Sequence, residues 1–203
     1  MRIFQISTLM GTLAALTPVA AAAQGSWTIG IGVSRDAFTG ASTDTTTIPG
    51  VRVEIAPAPR VAIEIGVGRS AGAWEFGLQI GHASGSLRAK TDALMLEDRT
   101  GSVTRWRLSL LAGRRLATFE QLSLLLLAGP AVEHWEMSGI GNQTTFSGRA
   151  GLALRIPLGR LSLENNATLG IGGSPFRPSD LPPEAEVRRM LTWSVGAGIR
   201  LTL

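Results

Sequence analysis

A two-residue alternation runs through this chain, and it is cleanest from Leu191 to Leu203. Leu191, Trp193, Val195, Ala197, Ile199, Leu201 and Leu203 share one face; Thr192, Ser194, Gly196, Gly198, Arg200 and Thr202 share the other. A strand turns successive side chains to opposite faces, so this period marks a strand with one apolar and one small polar side. An apolar strand at the very end of a chain leaves an edge that invites association. Closing the sheet into a barrel removes the edge by pairing last strand with first, and a closed barrel also satisfies every backbone group in lipid.

The same period recurs upstream. Trp27, Ile29, Ile31 and Val33 oppose Thr28, Gly30, Gly32 and Ser34, and residues 35–49 then read as a polar loop. Val51, Val53 and Ile55 alternate with Arg52 and Glu54, and Ala56-Pro-Ala-Pro59 makes a short connection, because proline cannot donate to a ladder. Further strands begin at Val61, Trp74, Trp106, Gln121, Phe146 and Leu161. Pro130 marks a candidate bulge. Residues 35–49, 137–144 and 173–186 are long connections; 56–60, 113–120 and 157–160 are short ones. That makes nine clear strands, and a weak one over Leu87–Leu96 brings the number to ten. An even number is required of a single-chain bacterial barrel, so eight to ten strands are expected, with ten slightly favoured by parity.

Residues 1–23 read as a secretory signal, with Met1-Arg2, an apolar run to Val19 and small residues Ala20 to Ala23. Residues 24–203 then form one domain. Without Arg2 the basic count falls from 19 to 18 against 15 acids, so a net charge of +4 becomes +3, too small to argue for nucleic acid. The chain has no Cys, which excludes disulfides and thiol chemistry. No later stretch offers the 18 or so uninterrupted apolar residues of a membrane helix.

Charged residues fall on the non-apolar faces: Arg52, Glu54, Glu64, Glu75, Arg105, Arg107, Arg149, Arg155, Glu164 and Arg200. In a narrow barrel they point inward, where mixed signs must pair. The expectation is an interior charge network acting as a plug, with a polar pore as the alternative. Trp27, Trp74, Trp106, Trp135 and Trp193 lie in or at the ends of strands and are expected as membrane-interface anchors. His134 with Glu133 and Glu136 is too weak a set for a metal site, and no metal or cofactor is expected.

Together, the signal segment, the alternation, the loop asymmetry and the C-terminal strand resemble the small bacterial outer-membrane β-barrel proteins of OmpA/OmpX-like architecture. The resemblance covers residues 24–203 and implies a closed antiparallel up-and-down transmembrane barrel, with long extracellular loops and short periplasmic turns. It also implies an outer-membrane location, contact with lipid and lipopolysaccharide, docking to the assembly machinery through the last strand, and a monomer. The chain departs from that pattern in ending on Leu203 and in having no Tyr. His82-Ala-Ser84 is similar to the His-x-Ser pattern of PagL-type lipid A deacylases. Ser84 would be the nucleophile, His82 its base and Glu97 the orienting acid. The primary expectation is non-enzymatic: a charge-plugged barrel for envelope integrity or surface interaction.

Overall fold

Alternating sequence of this kind can satisfy its backbone only by strand pairing, and the computed structural model is all-β apart from one 3-10 turn. It describes residues 25–44, 53–91, 93–181, 183 and 185–203. Strands run in the order β1 (Trp27–Thr39), β2 (Ser42–Asp44), β3 (Val53–Pro57), β4 (Arg60–Ala71), β5 (Trp74–Lys90) and β6 (Met95–Phe119). They continue with β7 (Leu122–Met137), β8 (Gly141–Leu158), β9 (Leu161–Gly172), β10 (Ala185–Val187) and β11 (Met190–Thr202). Residues Pro178–Asp180 form the 3-10 turn.

Eight of these strands close a barrel, in the order β1, β4, β5, β6, β7, β8, β9, β11 and back to β1, every pair antiparallel. The last strand meets the first from Thr28↔Thr202 to Thr39↔Leu191, and the Leu203 amide donates to the Trp27 carbonyl at 2.9 Å. No edge is left along the wall.

The count of eight corrects the preference for ten. The segment around Val53 is a five-residue strand outside the barrel wall, held between β2 and the far end of β5. Leu87–Leu96 is not a separate strand but the tip of the β5–β6 hairpin, whose arms run to Lys90 and from Met95. The turn at 56–60 therefore belongs to the same end as the long loops. The tight connections at the opposite end are Gly72-Ala73, Glu120-Gln121 and Gly159-Arg160. Pro130 stays in register opposite Gly148, and the register shift in this sheet region falls between Arg115 and Ala117.

The alternation now has a physical meaning. Ile199, Ile31, Ile65, Ile80, Leu108, Val132 and Phe146 are register partners in turn around the wall, and all face outward and exposed. A continuous apolar band of this size has no place in water and suits hydrocarbon. The inward line one residue away reads Glu164, Gly198, Gly32, Glu64, Gly81, Arg107 and Glu133.

At the long-loop end the interior turns apolar. Phe38, Ala41, Ala56, Val103, Trp135, Met137, Phe176 and Met190 form a buried cluster, flanked by Ile55, Leu87, Ile140 and Leu181. Strands β2, β3 and β10 and residues 173–181 fold over this mouth.

Candidate functional site

The candidate site is the barrel interior. Parity on β6 points Arg105 and Arg107 into the lumen, and both are almost wholly buried. Asp36, at zero exposure on β1, accepts from Arg105, and its Oδ2 lies 3.4 Å from Arg107 Nη1. Arg107 also donates to Glu64, which accepts from Ser34 at 3.0 Å and Gln79 at 2.7 Å. Arg149 donates to Ser109 Oγ at 3.2 Å and Thr168 Oγ1 at 2.9 Å. Glu133 accepts from Ser147 at 3.1 Å; its other oxygen stands 3.9 Å from Arg105 Nη1, a coulombic contact too long for a hydrogen bond.

A second layer lies nearer the tight turns. Arg155 crosses from β8 to Glu75 of β5, with Nη2–Oε2 at 2.9 Å, and meets Glu164 at 2.6 Å. Arg200 reaches the same Glu164 at 2.9 Å and sits 4.0 Å from Glu75. Between the layers is a cavity of about 70 Å³, bounded by Glu64, Gln79, Glu75, Glu164, Asn166 and Arg200 and by bare backbone at Gly30, Gly32, Gly66 and Gly198. Buried ions survive where each finds partners of opposite sign, and here most of them do.

Glycine makes this pairing possible. Glu64 and Arg107 sit on β4 and β6, with Gly81 of β5 between them in register. A methyl group at Gly81 would only touch Arg107 and Glu64, at 3.6 Å; a larger side chain would part them.

Four interior residues carry signals that a strand-by-strand reading misses. Asp36 and Phe38 lie in what reads as a loop, yet the alternation Ser34, Asp36, Phe38 against Arg35, Ala37, Thr39 continues there. Arg60 lies in a segment that reads as a turn. Its guanidinium donates to the Val103 carbonyl at 2.9 Å and packs 5.4 Å from the Phe38 ring and 5.6 Å from the Trp135 ring. Glu133 shares its face with Trp135, away from His134. Arg105 covers the same two rings at 5.2 and 5.4 Å, so two guanidiniums lie against the edge-to-face Phe38–Trp135 pair.

Several expected residues fall elsewhere. Trp135 is fully buried and is not an interface anchor; Glu133, Trp135 and Met137 all take the inward parity of β7. Trp27, Trp74, Trp106 and Trp193 face outward and are about half exposed, at 50, 46, 47 and 55%. Glu54 stands outside the barrel wall, in the mouth, where it accepts from the Gly40 amide at 2.8 Å. Arg52 lies outside the described residues, as does the expected signal at 1–23. His134 contacts Thr144 at 3.0 Å and Glu136 at 3.8 Å, with Glu133 on the other face; no metal-ligating group of three exists among the described residues.

His82 and Ser84 both face outward on β5, and the His82 ring lies 4.4 Å from that of Trp106. Glu97 does not join them. It pairs in register with Arg88, six residues beyond His82, or about 20 Å at the rise of a strand. It accepts instead from Ser86.

A closed eight-stranded antiparallel barrel, apolar outside and charged within, is the fold of the small outer-membrane β-barrel proteins. Neisserial surface protein A is similar over 86% of this chain and 96% of its own, with TM-score 0.60 at 9% identity. The outer-membrane protein OprG of Pseudomonas aeruginosa matches over 88% and 96%, with TM-score 0.58 at 12% identity. Outer-membrane protein AlkL, solved in lipid bilayers, matches over 89% and 90%, with TM-score 0.55 at 12% identity. At these identities the likeness is one of fold. No family model and no curated protein matches the sequence.

Proposed function

We propose that this chain is an exported, monomeric outer-membrane barrel whose lumen is plugged by ion pairs, and that it serves envelope integrity or surface contact through its long-loop end. One observation carries the reading: the outward face is an apolar band around the wall, interrupted at Asn165 of β9, while inward Arg105, Arg107 and Arg155 reach carboxylates on other strands. The barrel resembles proteins of the outer membrane, which supports that location. Residues 1–23 would direct export and be removed, the band would contact lipid and lipopolysaccharide, and Met190–Thr202 with Leu203 would dock to the assembly machinery.

The test is gel mobility in detergent, with and without boiling, on fractionated membranes. The expected result is a heat-dependent shift in the outer-membrane fraction. A single mobility in a soluble periplasmic fraction would sink the reading.

A second reading, a lipid A esterase, gains from the strand count. With eight strands, β5 runs from a tight turn towards the long loops, so His82 and Ser84 lie in its outer half. The distance to Glu97 weighs against it. Unchanged lipid A acylation in cells carrying Ser84→Ala would remove it.

A further inference from the structure

The outward face near the tight turns repeats one motif. Trp27 opens β1 and Arg69 of β4 stands opposite it in register, its guanidinium 5.7 Å from the indole. Trp74 opens β5 and Arg114 of β6 stands opposite it, at 5.6 Å. These four strands are neighbours. Phe76 joins them, opposite Arg69 and stacked on Trp74 at 6.4 Å. The result is a row of indole, guanidinium, aromatic pair and guanidinium, with the two arginines two strands apart, or about 10 Å.

The buried and half-buried arginines of the barrel wall are each partnered by a carboxylate, carbonyl or hydroxyl oxygen. Arg69 and Arg114 are exposed, and neither has a carboxylate partner among the described residues. The tips and outward faces of this end hold one described acid, Glu120, against Arg69, Arg114, Arg115 and Arg160. The two exposed tryptophans of the other end differ: Trp106 lies against His82, and among the described residues no guanidinium covers Trp193.

We infer that Trp27–Arg69 and Trp74–Arg114 form a binding site for the phosphodiester headgroups of anionic phospholipid in the inner leaflet. The inference rests on the membrane reading above, which puts the tight turns on the periplasmic side. An indole seats itself at the headgroup level of a bilayer. A guanidinium laid on it is held at that height with its planar fork free, and the fork matches phosphate oxygens two at a time. A zwitterionic lipid carries its own ammonium beside the phosphate; an anionic one leaves the charge for the protein to neutralise.

The test uses full-length protein with Trp106→Phe and Trp193→Phe, so that Trp27 and Trp74 are the exposed fluorophores. It is reconstituted into phosphatidylcholine vesicles in which a fixed fraction of either phosphatidylglycerol or phosphatidylcholine is brominated. Brominated phosphatidylglycerol should quench in preference, with an apparent affinity ratio of about fivefold for each guanidinium near the surface. Arg69→Gln with Arg114→Gln should bring the ratio to one while the heat-dependent gel shift stays. Equal quenching by the two lipids, or a preference that survives the double substitution, would overturn the site. No quenching by either lipid, with no gel shift, would overturn the membrane reading and the site with it.

Discussion

Gly81 separates two kinds of requirement at single residues. Its inward face is bare so that Glu64 and Arg107 can meet across β5. Gly81→Ala should be close to neutral, since the added methyl makes ordinary 3.6 Å contacts. Gly81→Leu should part the pair and cost about 3–5 kcal/mol, the scale for stranding a buried charge. Urea unfolding in detergent, followed by tryptophan fluorescence, checks both; equal losses would show that space at Gly81 is not what matters. Asp36 makes a harder case, because it serves Arg105 and Arg107 together. Asp36→Ala should cost about 3–5 kcal/mol, whereas Asp36→Ala combined with Arg105→Met should recover part of that loss, because one stranded cation is gone. Additive losses would mean that the two residues are not coupled. Parity alone suffices to turn Arg107 and Glu64 inward. It cannot show that Gly81 lets them touch. Nor does a strand reading that stops at Ser34 reach Asp36, or one that ranks Trp135 by residue type find it inside. Tryptophan is common at membrane interfaces, but on β7 the inward parity of Glu133 and Met137 decides where Trp135 goes.

At the scale of elements, strand pairing is set by how closely backbones approach. Gly129 of β7 is the tightest point: a Cβ there would lie 1.9 Å from the Leu110 carbonyl oxygen of β6. Unlike the contact at Gly81, the obstacle is backbone, which cannot swing aside. Gly129→Ala should therefore push β6 and β7 apart and lower the temperature at which the unboiled gel form is lost by several degrees, while Gly148→Ala on β8, with open space beside it, should leave that temperature unchanged. A drop at Gly148 as large as at Gly129 would refute the argument. Most elements were legible from alternation because lipid on one side and a packed lumen on the other impose the same period on every wall strand. Two features were not. The Val53 strand alternates like a wall strand, but it is too short to span and pairs only in the mouth. The β5–β6 hairpin extends past the apolar band, where both faces meet protein or water and the period carries no face information. Counting both as wall strands is what favours ten.

On the plugged reading of the whole molecule, two barriers stand in series above the Glu75, Arg155, Glu164 and Arg200 layer. One is the upper charge layer of Asp36, Arg105, Arg107 and Glu64; the other is the apolar mouth around Phe38, Trp135 and Phe176. An ion must shed its water to pass the apolar mouth and must displace a paired guanidinium to pass the charge layer, and an eight-stranded wall leaves no way round either. The reconstituted protein should show no steady conductance steps in planar bilayers. Removing one barrier should not change that. Asp36→Ser with Arg105→Ser takes out an ion pair without altering net charge and should stay silent beneath an intact mouth. Phe176→Ser, which loosens residues 173–181 from the apolar cluster, should stay silent above an intact charge layer. Combining the three substitutions should open measurable steps, and these should be small, because the lower layer of Glu75, Arg155, Glu164 and Arg200 still stands in the path. Steady steps from the wild type would refute the plug. Steps from the ion-pair variant alone would show that the mouth is no barrier, and the seal between the two sides of the membrane would then lie in the charge layers.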